Sequence, residues 1–107
     1  MEVSPIENLR LDAMIDEATV DCHDEEEQAT GLLAMIQENL VLPIETSVLG
    51  VTVRVDAVDI RERGQIVAMC VRGRIRQAIP IQDLPLPTPS PAGADWIAAY
   101  RRWFRSG

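Results

Sequence analysis

The stretch Leu40-Val41-Leu42-Pro43-Ile44-Glu45-Thr46-Ser47-Val48-Leu49-Gly50-Val51-Thr52-Val53-Arg54-Val55-Asp56-Ala57-Val58 marks a change of pattern. Before Pro43, apolar residues recur at helical spacing; after it they alternate. Proline cannot continue a helix, because it has no amide N–H and its ring clashes with the preceding turn. Beyond it, Val51, Val53, Val55 and Ala57 fall on one face of a strand and Thr52, Arg54 and Asp56 on the other. The chain therefore reads as α+β, with two helices ahead of Pro43 and a small sheet behind it.

Towards the N-terminus, Ala29, Leu32, Leu33, Ile36 and Leu40 form one apolar stripe, which predicts a helix over Asp24 to Asn39. An earlier helix is predicted from Ile6 to Thr19, with Pro5 suited to its first turn. Here Ile6, Leu9 and Ala13 share one face, and Leu11, Met14, Ile15 and Ala18 another. Val20-Asp21-Cys22-His23 connects the two helices.

Towards the C-terminus, strands are predicted at Ile44 to Leu49, Val51 to Val58, Gln65 to Val71 and Arg74 to Ile81, with a polar turn from Asp59 to Gly64. The third is apolar on both faces, as a central strand should be. Short strands with tight connections predict a strongly bent antiparallel sheet of the SH3-like barrel kind. Pro85, Pro87, Pro89 and Pro91 favour an extended, stiff crossing segment. A last helix, Asp95 to Arg105, holds all four aromatic residues: Trp96, Tyr100, Trp103 and Phe104. Its ring face is expected to dock on the sheet. With 107 residues, one domain is expected: an acidic helical part (6–39), the sheet (44–84), the Pro-rich crossing (85–94) and the final helix (95–105).

Hydrophobic residues make up 47% and charged residues 25%, a balance that excludes a disordered chain. No stretch approaches the roughly 20 apolar residues that cross a bilayer. Met1-Glu2-Val3-Ser4-Pro5 has neither a basic start nor an apolar run, so no signal peptide is expected. A cytoplasmic location and free thiols at Cys22 and Cys70 follow as expectations. Charge is segregated. Met1 to Glu45 carries twelve acids and one Arg, and Thr46 to Gly107 five acids and nine Arg, within a net charge of −7.

Asp21-Cys22-His23-Asp24-Glu25-Glu26-Glu27 places five carboxylates in seven positions, where a connector enters a helix. Calcium takes several carboxylate and carbonyl oxygens at about 2.3–2.6 Å, and such a corner offers them from two directions. The connector gives Asp21, and the helix gives Glu25 and Glu26. By helical phase Glu25 continues the apolar stripe and points towards the fold, Glu26 lies on its flank, and Glu27 points away. Asp24 with Glu27 is also an acidic capping box, which needs no metal. The helix–loop–helix calcium loop is absent: counted from Asp21, it wants Gly at Glu26 and Glu at Leu32. Cys22, His23 and Cys70 lack zinc-ligand spacing. No nucleophile, phosphate loop or nucleotide fingerprint appears, so no enzyme is expected.

Several stretches resemble, in order, the small cyanobacterial calcium-binding protein family. They are Val20 to Gly31 with its acidic helix start, Leu40-Val41-Leu42-Pro43, Ala78-Ile79-Pro80-Ile81-Gln82-Asp83-Leu84, and Asp95-Trp96. The resemblance implies a compact α+β fold that binds Ca2+ without a helix–loop–helix site, through the five acids named above. Two departures stand out. Leu32-Leu33-Ala34-Met35 replaces an aromatic-rich run, and Asp59-Ile60-Arg61-Glu62-Arg63-Gly64 replaces a longer, acid-rich loop. Arg61 and Arg63 oppose a cation there.

A second reading is a non-enzymatic interaction module without metal function. Arg72, Arg74 and Arg76 alternate, and on one strand they would project from one face towards an acidic protein partner. Nucleic acid fits poorly with a net charge of −7 and no Lys.

Overall fold

The computed structural model describes residues 5–106. Helix α1 is Pro5–Ala18 and α2 is Glu25–Asn39; the strands are β1 (Ile44–Val48), β2 (Val51–Ile60), β3 (Ile66–Arg72) and β4 (Ile75–Pro80); α3 is Ala94–Ser106. Of the two faces read on α1, the one with Leu11 and Ala18 is buried, and Ile6 and Leu9 on the other are exposed. In α2 the predicted stripe is the buried one: Ala29, Leu32, Leu33 and Ile36.

The sheet is an antiparallel meander in the order β1-β2-β3-β4, so β3 is an inner strand as its composition demands. Among the described residues it stays open, with β1 and β4 at its edges, and does not close into the expected barrel. The face expected for β2 also changes midway. A bulge between Val55 and Ala57 inserts one residue, so Val55 and Val58 are the buried pair, and Ala57 leaves the core face.

Ile66, Val58, Ile81, Ile97 and Tyr100 pack with Leu32, Leu33 and Ile36 in one cluster. A second cluster, around Val55, Ala68, Cys70 and Leu84, continues along the same sheet face, with Leu42 and Leu86 laid over it. The aromatic helix does not lie across the sheet as expected. Helix α2 packs on β2, and α3 packs on α1, α2 and the 3-10 turn Ile81–Asp83. Tyr100 bonds the backbone where β3 begins. Its hydroxyl accepts from Ile66 N–H at 3.1 Å and donates to Gly64 C=O at 3.2 Å.

The acidic and basic halves meet between α1 and α3. The Arg102 guanidinium grips Asp12 through two hydrogen bonds of 2.7 and 3.1 Å, and Arg10 reaches Asp95 at 3.0 Å. Arg101 anchors the crossing segment by donating to the carbonyls of Ile81 and Leu84. Cys22 and Cys70 are both free thiols. No helix of the described residues is long and apolar enough to cross a membrane.

Candidate metal centre

The candidate site starts where α1 gives out. Asp21 sits in the left-handed region at φ 64°, a conformation that aspartate tolerates better than most residues, and it turns the connector towards α2. The Cys22 amide donates to Thr19 C=O at 3.0 Å, and its thiol to Glu27 C=O at 3.4 Å. The connector is thereby held against the first turn of the next helix.

Asp24 is the N-cap of α2. Its Oδ1 accepts from the Glu27 amide at 2.8 Å, while Glu27 Oε2 accepts from the His23 amide at 3.1 Å. This is a variant of the capping box in which Glu27 reaches the amide of His23, one residue before the N-cap; of the amides that the helix start leaves without internal partners, it satisfies that of Glu27. Glu27 therefore folds back over the connector instead of pointing away. Each capping carboxylate uses one oxygen in these bonds and keeps the second for another partner.

The other acids separate by helical phase. Glu26 shares a shallow surface with Asp24, Glu27 and Thr30. Glu25 lies across the helix, in a cleft of about 410 Å³ that it lines with Gln28, Arg63, Trp103, Phe104 and Ser106. Trp103 Nε1 donates to Gln28 Oε1 at 2.9 Å at that cleft. All five acids are exposed. Among the described residues, no three His, Cys, Asp or Glu side chains converge as a ready metal site. Asp24, Glu26 and Glu27 share one surface, and Asp21 lies on the connector before them.

The loop after β2 comes to the same end of α2. Arg61 N–H donates to Gln65 C=O at 2.7 Å and closes a tight loop. Arg63 and Gly64 within it both have positive φ, 63° and 74°. Arg63 thereby enters the cleft of Glu25, a neighbourhood the sequence did not reveal.

The three arginines read as one stripe are not on one face. Arg72 ends β3 and pairs with Ile75; Arg76 lies in β4 and pairs with Val71; Gly73 and Arg74 form the turn between. The hairpin puts Arg72 and Arg76 on opposite sides of the sheet. Arg76 bonds Asp56 at 3.2 Å.

No family model and no curated protein matches this sequence. Solved structures do. The crystal structure of Anabaena CcbP superposes with a TM-score of 0.71 at 17% identity, covering 97% of this chain and 93% of that one. A calcium binding protein in the calcium-binding form superposes with a TM-score of 0.74 at 16% identity, covering 98% of each chain. Likeness at this level of identity establishes a shared fold over nearly the whole length of all three chains.

Proposed function

We propose that this protein binds calcium without being an enzyme, and holds the ion at the connector and first turn of α2. The observation that carries this reading is the concentration of Asp21, Asp24, Glu25, Glu26 and Glu27 at one corner of the fold shared with a protein solved in its calcium-binding form. Asp24, Glu26 and Glu27 are the principal ligands, joined by Asp21 from the connector. Glu25 lies across the helix beside Arg63 and adds charge at longer range. Because the side chains are exposed, they can rotate to converge on an ion. The free oxygens of the capping pair allow coordination without loss of the helix start. The helix dipole opposes a cation at that end, so several carboxylates are needed to outweigh it.

Calcium suits this set better than magnesium. It accepts six to eight oxygens in loose geometry, whereas magnesium demands a near-ideal octahedron and sheds water reluctantly. Calorimetric titration of metal-free protein, followed residue by residue by NMR, tests the reading. Calcium should give a saturable heat and shift the amides of 20–28, with little response to magnesium at the same ionic strength. Equal response to both ions would overturn it.

A further inference from the structure

The sheet's core face is covered in steps. Helices cover its Ile66–Val58 end, and Leu42, Leu84 and Leu86 cover the middle around Ala68 and Val55. Beyond Cys70 the cover stops. There, between the tips of the two hairpins, lies a groove of about 190 Å³ whose walls include Val48, Val53, Ile75 and Ile79, with Cys70 in its floor and Arg72 at its rim. Apolar side chains remain in water around it: Ile75 is 68% exposed and Leu49 98%.

We propose that this groove, beside the free edge of β4, docks an acidic peptide segment carrying an apolar anchor residue. Three observations select that occupant. First, β4 pairs only with β3 among the described residues, so its other edge offers backbone groups to an added strand. Second, an added strand would send alternate side chains towards the sheet face that holds the groove. Third, charge is one-sided. No acid occurs from Thr46 through Val55 or from Ile66 through Gln82, whereas Arg72 lies at the rim of the groove and Arg74 in the adjoining turn; Arg54 and Arg76 lie on the other face of the sheet, where Arg76 is paired with Asp56. Arg72 and Arg74 have no carboxylate within ion-pair distance among the described residues.

Arginine and proline on an edge strand also discourage aggregation, and that accounts for Arg74, Arg76 and Pro80. It does not account for an exposed Ile75 beside an apolar hollow. The apolar walls disfavour a nucleic acid as occupant, since its phosphates seek basic and polar groups.

The test uses the full chain, labelled for NMR, and a panel of ten-residue peptides that alternate Glu with Val, Leu, Ile or Phe. Controls replace the apolar residues by Ser, or Glu by Lys. The acidic-apolar peptides should bind and shift amides of 47–53 and 70–79. Both controls should bind at least about tenfold more weakly. Ile75→Ser and Arg74→Glu, both at exposed positions, should each weaken binding about tenfold while leaving the remaining spectrum in place. Absence of binding, equal binding of the Ser control, or shifts centred on α2 would overturn the proposal. So would a dimer in ultracentrifugation that Ile75→Ser abolishes, which would assign the groove to a second copy. Binding to phosphatidylserine vesicles without binding to the peptides would overturn it as well.

Discussion

Gly64 rests directly on Ala29: a β-carbon at position 64 would lie 2.9 Å from the Ala29 methyl. This contact joins the loop after β2 to the second turn of the acidic helix and brings Arg63 to the same cleft as Glu25. The loop and the carboxylates are mechanically one unit, although some 35 residues of chain separate them in a sequence of 107.

Gly64→Ala should therefore do two things. The left-handed φ of 74° penalises any β-carbon, and the Ala29 contact adds overpacking. Together a loss of about 1–4 kcal/mol is expected in chemical denaturation. Amide shifts should spread from the loop into Glu25 to Ala29. A stability change without shifts in α2 would show that the two regions are not coupled.

Arg63 should bear on the proposed calcium affinity. Its fixed positive charge shares the cleft with Glu25 and offsets part of the negative potential that a cation would meet. Arg63→Gln removes that charge and nearly keeps the length. Calcium affinity should rise by about threefold to tenfold at low ionic strength, and the gain should shrink in 0.5 M salt, as charge screening requires. Calorimetry on the two proteins at two salt concentrations decides it; unchanged affinity would show that the Arg63 charge does not reach the ion from across the helix.

How much of this was legible in the sequence depended on whether the signal was local. The α2 boundary was legible because Asp24, Glu27 and Pro43 each act within one turn of chain. The stripe Ala29, Leu32, Ile36 was legible because one helix face was buried. The β2 register was not, since a bulge at Asp56 leaves no mark on an alternating run such as Val51 to Val58. Arg72, Arg74 and Arg76 alternate perfectly in sequence, yet the turn at Gly73 and Arg74 folds them onto opposite faces. Helical phase already turned Glu25 inward, but placing it in one cleft with Arg63 and Trp103 needed the positions of α3 and the loop after β2. Those are long-range facts.

Tyr100 couples stability to alkaline pH. Its hydroxyl serves both Ile66 N–H and Gly64 C=O in the core, so Tyr100→Phe leaves two backbone groups without that partner and should cost about 1–3 kcal/mol. Burial raises its pKa above the usual 10.0, against a smaller opposing effect of the Ile66 N–H; burial, with some help from Asp56, likewise raises Cys70 above 9.0. The folded state thus holds these protons more tightly than the unfolded chain does. That stabilisation is complete below the unfolded values and is lost as pH rises through the folded ones. The wild type should weaken in denaturant above about pH 9. Tyr100→Phe should start lower at neutral pH and decline less steeply, retaining only the Cys70 part. Parallel declines in the two proteins would remove Tyr100 from the linkage.

Calcium should also act through stability. Asp21, Asp24, Glu25, Glu26 and Glu27 crowd one helix start, and without a cation they repel one another and loosen the connector. An ion bound only by the folded state stabilises it by about 2.7 kcal/mol at a hundredfold excess over its dissociation constant. Melting temperature should rise with millimolar calcium, and amide exchange should slow over 20–28. The sheet and α3 should change less, because their burial does not depend on the ion. Monovalent salt at matched ionic strength screens the repulsion but coordinates nothing, so its shift should be smaller. Charge-removing variants then separate the ligands. Glu26→Gln should diminish the calcium-dependent shift more than Glu25→Gln, since Glu26 shares its surface with Asp24 and Glu27 whereas Glu25 faces Arg63. Asp24→Asn should weaken binding too, and it keeps a side-chain oxygen for the Glu27 amide, so the cap survives and the loss reads as lost coordination. If Glu25→Gln proves the more damaging, the ion sits in the cleft instead. If matched salt raises the melting temperature as far as calcium does, the acidic corner is a solvated helix start and binds no ion.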